Sequence, residues 1–422
     1  MGTSVSDHDH MRAAEPVEDP ILAALVRRDP AAVARLAGSG AAFWEAVCAR
    51  VRDHRCLPYL CWVLDQSGVV PPVPFDPALR RRWGLRALSV QGECLRLTRL
   101  LSEAGIAHLF LKGVPLAAGA YPEPWLRPLR DIDILVHPAD LGRAQALLLD
   151  HGGPIDRYAH KTGSHADPAA KHLPPVWSPG RIIAVELHGH AADAGAGLDA
   201  DGQARLDSML WDGMVEMPLA GGGLAVPGPE ALFVHLVLHG VYDHELNNGP
   251  LFLTDLIHLM TRMPPDPERV VALAHDLRIT RGLALTLSLL PDGTAGRAGI
   301  VAALRAAGLS GPLPDLPQDS AAALLLQDSA TRNELRLAAD LAAGPKTSRL
   351  RLLAGKVFPS RETMTDRWRM EGHEGPEPVS NLGFWLWFVK VRLRGMRRAG
   401  TRAPRMRDHL IRLRGLRDGH EG

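Results

Sequence analysis

The chain has 422 residues, 46% of them hydrophobic and 23% charged, the composition of a folded globular protein rather than a disordered, collagen-like or disulfide-dense one. Its formal charge of +1 conceals an asymmetry: residues 381–422 hold 11 basic and 3 acidic side chains, so a tail of +8 follows a body of −7. No run approaches the roughly 18 apolar residues of a membrane span and no leader opens the chain, so the expected location is the cytoplasm.

Residues 1–19 are polar and acidic and read as a disordered N-terminus. Asp7-His8-Asp9-His10 resembles a metal tract, and Met1-Gly2 followed by Ser6 a myristoylation signal, but both are read as chance matches. From Pro20 to Gly105 apolar residues recur at helical spacing, through Leu25, Trp44, Val47, Leu88, Leu97 and Leu101. Pro71-Pro72-Val73-Pro74 divides this N-terminal layer (20–105) into a helical hairpin and a longer helix. Its four cysteines, Cys48, Cys56, Cys61 and Cys94, match no zinc spacing and are expected to be buried thiols.

The pattern then changes. His108 to Gly113 is a short apolar run expected as a buried strand, followed at once by a helix with Pro115 in its first turn and a stop at Tyr121-Pro122. Arg130 to Val136 reads as a second strand and Leu141 to Leu149 as an amphipathic helix ending near Gly152. Residues 154–180 lack periodicity and read as a long loop, and Arg181 to His188 as a third strand. This core (106–226) is followed by a helical region (227–345) and a basic C-terminal region (346–422).

The chemistry is expected at Asp131 and Asp133. Alternate residues of a strand share a face, so both carboxylates project together while Ile132 and Ile134 pack behind them. Two ionised carboxylates on one buried face repel, and a cation resolves the conflict. With Glu186 from the third strand they form an all-oxygen set suited to Mg²⁺, which favours phosphate oxygens as its remaining ligands. Such a set can hold two ions, one for an attacking hydroxyl and one for a leaving pyrophosphate. The turn at Lys112-Gly113-Val114 would offer backbone N–H groups, a helix dipole and an ammonium to an anion. Lys112 is one of only six lysines among 48 basic residues, an arginine bias that suggests a GC-rich bacterial genome. The alternative is a solvent-facing aspartate pair beside a surface lysine.

Leu111-Lys112-Gly113, Tyr121-Pro122, Arg127-Pro128-Leu129-Arg130-Asp131-Ile132-Asp133 and Val185-Glu186-Leu187-His188 together resemble an uncharacterised bacterial nucleotidyltransferase family of the DNA polymerase β-like superfamily. The similarity runs over roughly residues 40 to 300. It implies an α+β minimal nucleotidyltransferase fold, a short mixed sheet with helices on one side, flanked by N- and C-terminal helical regions. It further implies Asp131, Asp133 and Glu186 as catalytic metal ligands, with Glu186 also helping to activate an acceptor. Lys112, Gly113, Arg127 and Arg130 would bind the nucleotide. The cofactor would be Mg²⁺, two ions, and the donor an NTP. The wider superfamily follows its glycine with glycine or serine, whereas Val114 stands there here.

The acceptor stays open between a small molecule, a peptide under maturation, a protein and tRNA. Two rivals are a toxin-like transferase acting on tRNA, favoured by the basic tail, and a non-catalytic binding module of a biosynthetic complex. His235, His239 and His244 read as a core or cleft-lining group rather than zinc ligands. His188 is either an orienting partner of Glu186 or a half-buried strand residue. The apolar-then-basic stretch from Phe384 to Arg398 reads as a docked terminal helix, with RNA or anionic lipid as the other reading.

Overall fold

The computed structural model describes residues 40–155, 171–192 and 198–309, together with 364, 382–387, 389–390, 410 and 413. The acidic N-terminus, the middle of the loop 154–180 and most of the basic C-terminal region lie outside them.

Helices α1 (Ala41–Asp53) and α2 (Leu57–Gln66) form the expected hairpin, and α3 (Ala78–Glu103) the longer helix. Val90, Cys94, Leu97 and Leu101 recur every three or four residues of α3 and are its buried stripe. The helix stops because Gly105 takes φ +66°, a left-handed conformation that costs glycine little. Ile106 N–H then donates to Leu101 O and Gly105 N–H to Ser102 O, satisfying the last carbonyls and aiming the chain into β1 (His108–Phe110).

β1 leads into a helical turn at Gly113–Pro115, continued by a π-helical turn at Leu116–Ala120. β2 (Asp131–Val136), α4 (Leu141–His151), β3 (Gly153–Pro154), β4 (Val176–Trp177) and β5 (Ala184–His188) complete a mixed five-stranded sheet. The strand order is β1-β2-β5-β4-β3, and only β2 and β5 run parallel. Within the long loop, Val176–Trp177 forms β4, which pairs with β5 on one side and with the two-residue edge strand β3 on the other.

The sheet has apolar layers on both faces. Ile132, Ile134, Val136, Val185 and Leu187 join Phe110, the stripe of α3 and Leu141, Ala144 and Leu148 of α4 in one core. Leu109, Leu111 and Leu135 belong to the other, which holds α1, α2 and the C-terminal helices. The helices are therefore not confined to one side. Full burial of each such aliphatic side chain contributes about 1.5–3 kcal/mol.

After α5 (Ala200–Asp212), capped by Asp199 accepting from Gly202 N–H, comes a hairpin that the sequence reading does not contain: β6 (Met214–Leu219) and β7 (Gly222–Pro227). Met217, Leu224 and Val226 add to the core behind β2. The expected helical region then begins at α6 (Pro229–Val237), which runs into a second π-helical turn, Leu238–Asp243. α7 (Leu251–Arg262), α8 (Pro267–Asp276), α9 (Thr280–Leu289) and α10 (Arg297–Ala306) follow. Among the described residues no helix is long and apolar enough to cross a membrane.

Candidate active site

Parallel pairing of β2 with β5 sets Asp133 opposite Glu186 and Ile132 opposite Val185. Asp131, Asp133, Glu186 and His188 therefore share one face, with the isoleucines and valine on the other. Asp133 is buried, whereas Asp131 and Glu186 are half-buried at the more open end.

Two groups grip the same oxygen of Asp133. Lys112 Nζ donates to Oδ1 at 2.6 Å, and His188 Nε2 lies 2.7 Å from that atom. Burial and Lys112 depress the His188 imidazole to a pKa of about 4, so it is neutral and donates its Nε2–H to the carboxylate. Burial alone would raise Asp133, but Lys112 and His188 outweigh it and hold the carboxyl well below its ordinary range. Lys112 is raised in turn: its burial is overcome by Asp133, Glu186 and Asp131.

The neighbouring carboxylates behave oppositely. Burial, then Asp133, raises Asp131, and burial, then Asp133 and Asp131, raises Glu186. Lys112, with Arg55 and Arg127 acting on Asp131, does not offset burial and the crowding of three carboxylates. That under-compensated charge, on hard oxygen donors, fits a divalent cation. Among the described residues one group of three brings candidate ligand atoms within 4.8 Å of one another: Asp133, Glu186 and His188. Asp131 stands outside it, two residues earlier on the same face, and His188 stands inside.

Gly113 packs tightly under the segment that leads into β2. A Cβ there would meet Leu129 Cδ2 at 2.6 Å and Arg127 Nη1 at 3.4 Å. The helix it opens is only a turn of three residues before the π turn, so a dipole at this point is small. Lys112 itself adopts φ 51° and ψ −109°, a strained backbone for a residue with a side chain.

Arg127 is engaged in the scaffold. Its Nε and Nη2 donate to the two oxygens of Asp255 at 2.9 and 3.0 Å, and Nη1 donates to Pro128 O. Tyr121 Oη donates to Asp255 as well, at 2.8 Å. Arg130 is exposed at the entrance to β2. Arg55, in the link between α1 and α2, was not singled out from sequence. Burial, Arg127 and Arg130 lower its pKa to about 10, while Asp255 and Asp131 pull the other way, which places it in the same charge network.

The histidine group lies nearby. His235 is fully buried and its pKa falls to about 3, through burial first and then Lys112 and Lys171. The His239 and His244 rings lie 4.2 Å apart, and Lys171 Nζ bonds Asp243 at 2.6 Å across from them. No three of these gather as metal ligands among the described residues.

No curated protein and no solved structure matches the chain. The family model described as an uncharacterised nucleotidyltransferase matches residues 41–292, more than half of the chain, from α1 through α9. With Lys112, Asp131, Asp133 and Glu186 all inside that span, the chain belongs to this family of nucleotidyltransferases.

Proposed function

We propose that the protein moves a nucleoside monophosphate from an NTP to a hydroxyl or similar nucleophile, with Mg²⁺ as cofactor. The observation that supports this most is the register of β2 against β5, which sets Asp133 beside Glu186 with Asp131 on the same face. In this reading Asp131, Asp133 and Glu186 hold the metal, which supplies charge neutralisation at the reacting phosphates. His188 and Lys112 orient Asp133. Lys112 neutralises phosphate oxygens, and Arg130 at the entrance meets the polyphosphate. Arg127 serves the same nucleotide through the wall it builds with Asp255.

Glu186, whose raised pKa suits a base, takes the proton of the acceptor hydroxyl. The acceptor oxygen forms its bond to the α-phosphorus as the bond to the β-phosphate oxygen breaks, and pyrophosphate leaves. The test is the unfolding midpoint with each NTP, with and without Mg²⁺. A donor at 100 times its dissociation constant adds about 2.7 kcal/mol. The expected result is a Mg²⁺-dependent rise for at least one NTP, lost in Asp131→Asn. No rise with any NTP sinks the donor assignment.

A further inference from the structure

Strand pairing fixes one imidazole among the carboxylates. His188 is pinned on both sides: in β5 it pairs with Leu135 of β2, and on its other side it bridges to His172 in antiparallel register. Leu173 N–H donates to Leu187 O and Gly189 N–H to Lys171 O, both at 3.0 Å, and the His172 ring packs 5.3 Å from the His188 ring. Held this way and only 1% exposed, His188 keeps Nε2 on the carboxylate face, 2.7 Å from Asp133 Oδ1 and 3.9 Å from Glu186 Oε2.

These separations suit three ligands of one ion. Ligand atoms about 2.1 Å from an octahedral ion lie about 3 Å apart when adjacent and about 4.2 Å apart when opposite. Nε2 stands near those separations from both carboxylates, and one ligand atom from each of Asp133, Glu186 and His188 lies within 4.8 Å of the others. The ring is also free to change tautomer. Its Nδ1 is buried without a hydrogen-bond partner among the described residues, so nothing behind the ring fixes the proton on Nε2. An ion entering between Nε2 and Oδ1 takes the Nε2 lone pair as the ring proton passes to Nδ1, and the imidazole stays neutral.

We propose that Asp133, Glu186 and His188 form a mixed nitrogen–oxygen metal site that selects Mn²⁺ over Mg²⁺. Mg²⁺ favours oxygen ligands and gives up its water reluctantly, whereas Mn²⁺ accepts carboxylates together with imidazole. Asp131, half-buried at the open end, remains as an oxygen ligand for the Mg²⁺ that arrives with the polyphosphate. The inference rests on the reading above that this face works with bound cations, and it adds which ion His188 brings.

The experiment is titration of the full chain with Mn²⁺, without nucleotide, followed by electron paramagnetic resonance. The signal of free Mn²⁺ gives the dissociation constant, and competition with Mg²⁺ gives the selectivity. Spin-echo modulation of the bound ion reports a directly coordinated nitrogen. Wild type should bind Mn²⁺ at least about tenfold more tightly than Mg²⁺ and show imidazole nitrogen coupling. His188→Asn keeps an N–H donor for Asp133 but loses the ring nitrogen. Its Mn²⁺ binding should weaken at least about tenfold, while Mg²⁺ binding changes less than about twofold. Glu186→Gln should weaken Mn²⁺ binding too, which ties the signal to this face rather than to a histidine elsewhere. No nitrogen coupling in wild type, equal affinity for the two ions, or undiminished Mn²⁺ binding in a folded His188→Asn or Glu186→Gln overturns the proposal. The wild-type spectrum decides it even where a variant fails to fold. Nitrogen coupling without any NTP-dependent rise in the unfolding midpoint would overturn the transferase reading and leave the metal site standing; the rise without the coupling would do the reverse.

Discussion

Asp255 and Arg127 form a bidentate pair whose side chains are only 4% and 11% exposed, and Asp255 also receives the Tyr121 hydroxyl. Replacing Asp255 by alanine leaves a buried guanidinium without its counter-charge, a change that costs about 3–5 kcal/mol. Against a total stability of about 5–15 kcal/mol this is a large fraction. Replacing both partners, as Arg127→Met with Asp255→Leu, removes the charges together and should recover most of the loss, because an apolar pair carries no desolvation penalty. Tyr121 then still has Thr254 Oγ1 at 3.0 Å. Urea unfolding of the two single variants, the double variant and wild type measures the coupling directly. A loss under about 1 kcal/mol in Asp255→Ala, or a double variant that loses the sum of the singles, would refute the buried-pair account.

Asp131→Asn should leave the metal-free unfolding midpoint unchanged or raise it, since it relieves repulsion, whereas Asp133→Asn should lower stability by about 3 kcal/mol by stranding Lys112; equal effects in thermal unfolding would contradict the site's electrostatics. Both variants are expected to lose nucleotidyl transfer in a labelled-NTP assay. His235 stays neutral in the folded chain down to about pH 3 but protonates near 6.5 when unfolded. Its contribution is therefore fully present above pH 6.5 and declines by about 1.4 kcal/mol per unit below it. His235→Leu should flatten the fall in unfolding free energy between pH 7 and 5 without cost at pH 7, since neither ring nitrogen has a hydrogen-bond partner among the described residues. Gly152→Ala places a Cβ against the Trp177 carbonyl oxygen, a backbone atom that cannot rotate away. A loss of about 3 kcal/mol is expected in denaturant titration.

The three strands that carry the site are legible because each is a buried apolar run bounded by breakers, and the alternation within Asp131-Ile132-Asp133-Ile134 assigns faces from the sequence alone. The β6–β7 hairpin is not, because Met214, Val215 and Glu216 are exposed in sequence and no period-two alternation marks them, while Pro218 sits inside the strand. At the site, spacing showed that Asp131 and Asp133 share a face and nothing of how they differ. That difference comes from Lys112, 21 residues away, and His188, 55 away. The Arg127–Asp255 pair spans 128 residues, so the sequence offered a basic residue near a phosphate motif and concealed the acid that holds it. Arg55 lacked any local signal: it follows a helix and acquires its neighbours only when α1 and α2 pack beside the sheet.

The strained backbone of Lys112 has a consequence for timing. A twist of this kind stores about 1–3 kcal/mol, and it persists only while the surroundings hold it. The bond from Lys112 to Asp133 is one of those holds. Were a phosphate oxygen of the donor to draw the ammonium away from Asp133, that hold would slacken, and substrate entry and reshaping of the turn would be a single step.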